Sequence, residues 1–235
     1  MQFDLVSLVS DGDFFVLDVE GDGERDQHPV EISLLRYNRG RPVEEFHWLV
    51  NPERPISSYV SVMHGVTDEM VADAPTFSEI KGEIASLFDG SAIVAHNIRD
   101  DMRLLAPVMP EAPLLPSYMI DTFRLSRNLV KEIGRHNLDT VSEALGIVLP
   151  GARPYPVHTE YPFRGVARHS TGVDTYMAGE ALVGMVARID RSPKQLKHIS
   201  QSSLYQMNPR QQQALREGIA AAAAEVVSPG VAARV

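Results

Sequence analysis

Asp18 and Glu20 stand one residue apart at the end of an apolar run, FFVLDVEGDG, residues 14–23. Side chains alternate faces along a strand, so both carboxylates point one way and Val19 the other. Two like charges so placed repel, and one is driven toward protonation unless a cation lies between them. On its own the pair reads equally well as a solvated acidic turn, GDGERD, where the strand stops. Further along, His96 and Asn97 follow the apolar run SAIVA, and Asp100 and Asp101 open the next helical stretch. Later still, RHSTGVDTYMAGEALVGMVARI sets His169 and Asp174 at the start of a helix with an apolar stripe of Ala178, Leu182, Met185 and Val186. Each place has an ordinary explanation. Acidic residues favour helix N-termini, Thr171-x-x-Asp174 resembles a capping box, and a loop histidine needs no function.

The totals narrow the chemistry. The chain has 235 residues, 44% of them hydrophobic, so a substantial core can be buried. It has no cysteine, which excludes disulfides, thiolate metal sites and thiol nucleophiles and leaves histidine, carboxylates, hydroxyls or an oxygen-ligated metal to do any catalysis. A net charge of −9 argues against a strongly basic nucleic-acid coat, but not against a nuclease supplied with divalent cations. No apolar run approaches the roughly 20 residues of a membrane helix, and the N-terminus lacks the pattern of a signal peptide, so a cytoplasmic protein is expected.

The elements that must position these residues follow from periodicity. Strands are predicted over 13–20, 31–38 and 43–50, an antiparallel meander whose second turn is Arg39-Gly40-Arg41-Pro42. Pro75-Thr76 opens a helix over 77–88 and Gly90 ends it; SAIVAH (91–96) and YMID (118–121) read as short buried strands, each followed by a helix. Another helix lies in LDTVSEALGI, with Asn137 as N-cap and Gly146 as its stop. The fold class is α/β, a mixed sheet of an antiparallel meander plus parallel strands, flanked by helices. Residues 149–168 read as a surface excursion in which Arg153, Arg164 and Arg168 alternate with Tyr155, Tyr161 and Phe163. That composition suits either a single strand of nucleic acid or a loop pinned by buried aromatics. Residues 191–235 read as a partly helical C-terminal extension, with a helix over QQQALREGIAAAAAEVV.

The order and spacing of the acidic blocks carry a resemblance. D-x-E ending the first strand, H-N-x-x-x-D after a later strand, and H-x-x-x-x-D opening a C-terminal helix resemble the three motifs of the DEDDh (DnaQ-like) 3'-5' exonucleases, the family of the proofreading subunit of bacterial replicative DNA polymerase. NPERPI with MHGVTDEMVADAPTF, and YMIDTFRLSRNL with HNLDTVSEALGI, resemble that family's connecting segments, so the likeness spans about residues 13–190. It implies a ribonuclease-H-like fold in an exonuclease domain over 1–190, and two Mg²⁺ or Mn²⁺ ions held by Asp18, Glu20, Asp101 and Asp174. Such ions take oxygen ligands and, about 3.5–4 Å apart, clamp the attacking and leaving oxygens of an in-line displacement. His169 is implied as the base that deprotonates water. Asp101 rather than Asp100 takes the second-motif role, four residues after Asn97.

Val19 and Gly21 are implied neighbours of the terminal nucleotide. His96 and Asn97 are substrate-binding candidates that equally serve as organisers of their loop, and His64 is expected to be structural, with Thr67 capping the next helix. Asp22 stands where the family often has threonine; it is expected to be no ligand, but to lie beside the substrate path and tune which 3' ends are accepted. The implied reaction releases nucleoside 5'-monophosphates from a 3' end, with single-stranded DNA as the first expectation. A 3'-end-trimming exoribonuclease of the ribonuclease T kind is the alternative within the class, and a non-catalytic nucleic-acid-binding scaffold the alternative outside it. A protein partner docking on the extension is a further expectation.

Overall fold

The computed structural model describes residues 3–105, 116–149, 151, 155–158, 169–189 and 192–204. In chain order the elements are α1 (Leu5–Asp11), β1 (Asp13–Gly21), β2 (Pro29–Asn38), β3 (Arg41–Leu49), α2 (Ser58–His64), α3 (Asp68–Val71), α4 (Phe77–Phe88), β4 (Ala92–Ala95), α5 (Arg99–Leu105), β5 (Tyr118–Asp121), α6 (Thr122–Leu129), α7 (Leu138–Leu145), β6 (Val157–His158), α8 (Thr171–Ala187) and α9 (Pro193–Ser203). The sheet runs β5-β4-β1-β2-β3-β6. β1, β2 and β3 form the antiparallel meander, whereas β4 lies parallel to β1, β5 to β4 and β6 to β3. The expected mixed α/β sheet is therefore present, with β1 central.

Alternation along β1 divides the hydrophobic residues between two cores. Phe14 and Val16 join Leu35, Tyr37, Val94 and the buried side of α8 (Ala178, Ala181, Leu182, Met185) on one face. Leu17 and Val19 join Ile32, Leu34, Trp48 and the apolar residues of α4 and α5 on the other. Asp18 and Glu20 continue the Phe14–Val16 side, so they emerge beneath α8. The helix approaches closely because Gly179 lies against Tyr37: a Cβ there would stand 2.4 Å from the ring. Tyr37 is fully buried, stacked on Phe14, and donates to Glu180 Oε1. Gly179→Ala is expected to destabilise the protein by about 1–3 kcal/mol through overpacking, read as a lower urea midpoint with an unchanged slope.

Four short elements differ from what periodicity predicts. α1 has an Asp4 N-cap accepting from Val6 N–H, but its Leu5 and Val9 give too short an apolar pattern to separate from a leader strand. α2 lies in a stretch for which no element is predicted, and β6 lies inside the excursion over 149–168. α9 lies in a stretch that reads only as polar, yet Ile199 is buried in the α8-side core and Leu204 bridges to Ile120. Pairing and burial, rather than local propensity, define these pieces. Thr67 does occupy the N-cap position of α3, with no side-chain capping bond. The helix expected over 211–227 lies outside the described residues, as do Arg153, Arg164, Arg168, Tyr161 and Phe163 of the 149–168 excursion. Tyr155, from the same excursion, is buried in the core.

Candidate active site

Three elements bring the acidic motifs together. β1 carries Asp18 and Glu20, pairing them across the strand with Ser33 and Glu31 of β2. α5 opens at the C-terminal end of β4 and turns Asp101 inward: it is 6% exposed, and its Oδ1 accepts the Val19 backbone N–H at 3.1 Å. α8 delivers Asp174 from its first turn, also 6% exposed. Ligand atoms of Glu20, His169 and Asp174 lie within 4.8 Å of one another, a spacing that suits one cation. Asp100, by contrast, is exposed, engages Asn97 Nδ2, and lies 3.6 Å from Arg99 and 3.8 Å from Arg103.

Asp18 lies at the electrostatic centre. Its Oδ2 is buried without a hydrogen-bond partner. Burial, followed by the charges of Asp174, Asp101 and Glu20, raises its carboxyl well above the ordinary 3.8. Burial likewise raises Asp101 well above that value, opposed by the hydrogen bond from Val19. Four carboxylates forced together with an orphaned oxygen at their middle form a costly arrangement unless positive charge fills it. The donor set, all carboxylate oxygen and imidazole, is that of a hard divalent cation, so the residues fit the implied metals.

Two backbone distortions frame the centre. Asn97 (φ 66°) and His169 (φ 58°) both adopt the left-handed region, which few non-glycine residues occupy without a constraint. The Asn97 N–H donates to Asp121 Oδ1, and the same oxygen caps α6 by accepting from Phe123 and Arg124. His96 is committed inside the loop, its Nδ1 facing Thr122 Oγ1 at 3.0 Å and its Nε2 facing the His136 carbonyl at 2.8 Å. The geometry therefore gives His96 the organiser's role, while Asn97 holds Asp100 through Nδ2 and borders the cleft beside α6. His169 is exposed. Ser170, not Thr171, occupies the N-cap position of α8.

Sequence reasoning misses the network that fixes this end of α8. Glu31, fully buried on β2, accepts the Thr171 N–H at 3.3 Å and lies 2.9 Å from His47 Nε2, while Thr171 Oγ1 donates to Ser33 Oγ at 3.1 Å. Ser33 Oγ in turn donates to the buried Glu45. A polar residue every second position on β2 and β3, at Glu31, Ser33, Glu45 and His47, is the signal that could have found it.

Gly21 has no room for a side chain: a Cβ would lie 2.5 Å from Leu104 Cδ2. Its carbonyl faces His64 Nε2 at 3.2 Å, which gives the buried His64 the structural place expected of it. Asp22 differs from expectation. It is fully buried rather than beside an open path, ion-paired with Arg54, and accepts the Glu24 N–H. The turn after β1 curls inward around this pair, so Asp22 holds the loop. Arg54→Met is expected to cost about 1–3 kcal/mol by leaving a buried carboxylate uncompensated. A thermal melt of the variant with Asp22→Asn added should recover part of that loss.

The family model described as "Exonuclease" matches residues 9–158. Among relatives, a PolC-type DNA polymerase III of Thermotoga maritima is 34% identical over 145 residues, covering 60% of this chain and 10% of that polymerase. A DNA polymerase III subunit epsilon-like protein of Rhodobacter capsulatus is 31% identical over 160 residues, covering 67% of this chain and 21% of that protein. The chain thus corresponds to a tenth to a fifth of the length of these relatives. Among solved structures, exonuclease X in complex with 5' overhanging duplex DNA superposes with a TM-score of 0.60 at 24% identity, covering 80% of this chain and 99% of that one. The nuclease domain of 3'hExo, a DEDDh family member bound to rAMP, gives 0.58 at 17% identity, covering 74% and 92%. These likenesses show a ribonuclease-H-like exonuclease fold, and, since the family model spans well over half of its residues, this chain belongs to the exonuclease family.

Proposed function

We propose that the chain is a metal-dependent 3'-to-5' exonuclease that removes nucleoside 5'-monophosphates from the 3' end of DNA. The observation that carries this reading is the orphaned, buried Oδ2 of Asp18 at the focus of Asp101, Asp174 and Glu20, with His169 beside the cluster. Divalent cations, Mg²⁺ or Mn²⁺, held by Asp18, Glu20, Asp101 and Asp174 would supply Lewis-acid charge at the scissile phosphate and lower the pKa of the attacking water. The chain's own contribution is positional. Val19 N–H fixes the Asp101 carboxylate, the Glu31–Thr171 bond fixes the start of α8, and His169, exposed beside Glu20 and Asp174, takes the proton from the nucleophile. The β1 backbone at Val19 and Gly21, rather than the buried Val19 side chain, would face the terminal nucleotide together with Asn97, with His96 holding that loop from behind.

DNA is favoured because the two relatives reported above are a PolC-type DNA polymerase III and a DNA polymerase III subunit epsilon-like protein. The division into a catalytic domain over 1–190 and an extension over 191–235 that recruits a protein partner, and a cytoplasmic location, belong to the same proposal. Among the described residues, no helix is long and apolar enough to cross a membrane.

Incubation of 5'-labelled single- and double-stranded DNA and RNA with Mg²⁺, Mn²⁺ or EDTA tests the reading. A stepwise ladder from DNA that vanishes in EDTA supports it; internal cuts or metal-independent cleavage refute it. Because α9 packs on the domain, pull-downs should compare the full chain with one ending at Leu204, and equal capture by both would remove the docking role.

A further inference from the structure

Net charge −9 and a carboxylate centre leave unexplained how a polyanion is held. The exposed side of α6 offers an answer. A cleft of about 310 Å³ is lined by Asn97, Arg99, Asp121, Phe123, Arg124 and Arg127. A second, of about 500 Å³, is lined by Arg124, Arg127, Asn128 and Ser202. The two clefts share Arg124 and Arg127 as walls; the first reaches Asn97, four residues before Asp101, and the second reaches Ser202 of α9, so together they mark a groove along α6.

The groove's chemistry is cationic with one aromatic. Arg127 is exposed and engages no described side chain or backbone group. Arg124, also exposed, spends one Nη1 donor on the Leu204 carbonyl and keeps its other donors. Arg99 is partly offset by Asp100 at 3.6 Å. Asp121, the one carboxylate among the described lining residues, is buried, and its Oδ1 accepts from three backbone N–H groups. Phe123 is half-buried, braced edge-on by His96 and His136, with its ring in the cleft wall. Exposed guanidinium groups flanking a braced aromatic match alternating phosphates and bases, the pattern that grips a single strand without reading its sequence.

We propose that the α6 groove is a second binding site, for the sugar-phosphate backbone of the substrate strand several nucleotides from its 3' end. This inference rests on the exonuclease reading for the identity of the strand. Bound there, the strand is anchored by arginines at one end of the site and by the metal centre at the other, which offsets the repulsion of the acidic centre. Affinity then depends on strand length until the strand reaches Arg127.

Fluorescence anisotropy of 5'-labelled, phosphorothioate-linked oligothymidylates of about 3 and about 12 nucleotides tests this without needing hydrolysis. Arg127→Glu is expected to weaken the 12-mer about tenfold and the 3-mer less than twofold, and Arg127→Lys to recover most of the 12-mer affinity. The slope of log affinity against log salt should fall by about 0.7 for each phosphate that the groove no longer neutralises. Circular dichroism melts should match wild type, since Arg127 is exposed and bonds nothing among the described residues. Affinity for the 12-mer within twofold of wild type in both Arg127→Glu and Arg99→Glu would overturn the groove. Stepwise digestion by wild type together with that result would leave the exonuclease reading standing. Absence of digestion with loss of 12-mer binding in the variants would instead refute the activity and keep the groove.

Discussion

Asp18→Asn is expected to abolish hydrolysis while making the metal-free protein more stable. The two effects have one cause. In the absence of cations the Asp18 carboxylate is held among Asp174, Asp101 and Glu20 with an unsatisfied Oδ2, so removing its charge relieves burial and repulsion together. The relief should be about 1–3 kcal/mol at alkaline pH, or about 2–4 °C per kcal/mol for a chain of this size. The sign with pH follows from the raised carboxyl. Below the ordinary 3.8 the group is protonated in both folded and unfolded chains and carries no penalty. Between 3.8 and the raised folded value the folded chain binds the extra proton, so stability declines as pH rises, and above the folded value the full penalty is present. Melts in EDTA across this range should fall more steeply for wild type than for Asp18→Asn. Adding Mg²⁺ or Mn²⁺ should reverse the order: at about 100 times Kd a cation that binds only the folded state stabilises wild type by about 2.7 kcal/mol, and the variant far less. A variant no more stable than wild type in EDTA would contradict this account of the cluster.

His169→Ala is expected to lower kcat by about 10²–10⁴-fold, the range lost when a positioned acid–base group is removed. His169 is exposed and precedes α8, so folding should be little changed, and the cation-induced rise in melting temperature should survive through Asp18, Glu20, Asp101 and Asp174. That combination separates a proton-transfer role from a ligand role: a cation response lost together with activity would make His169 chiefly a ligand, as its proximity to Glu20 and Asp174 also permits. The left-handed backbone at His169 bears on the same question. A side chain held at φ 58° just before the N-cap Ser170 is aimed by the Glu31–Thr171 bond two residues later. Shifting the start of α8 therefore moves the base and Asp174 together.

Much of the site is legible in the chain because its motifs are local. The Asp18/Glu20 pair shares a face by strand alternation alone, and α4, β5 and the Asn137 cap of α7 fall where hydrophobic periodicity and capping residues put them. Asp22 cannot be placed this way. A carboxylate between two glycines reads as solvated until Arg54, from a loop beyond β3, folds back over it. Likewise α9 offers only Leu196 and Ile199 as aliphatic side chains, too few to mark a helix until the surface it covers is known.

Motif order, the two faces of β1 and the oxygen-donor chemistry that a cysteine-free chain must use are all written in residue type and short spacing, and no fold is needed to read them. Three features required the folded chain: which aspartate of the Asp100–Asp101 pair turns inward, that Glu31 rather than a capping box anchors α8, and that Arg99, Arg124 and Arg127 converge on one groove. They depend on contacts between residues up to 140 positions apart, and such contacts are fixed by the packing of whole elements rather than by the preferences of any one.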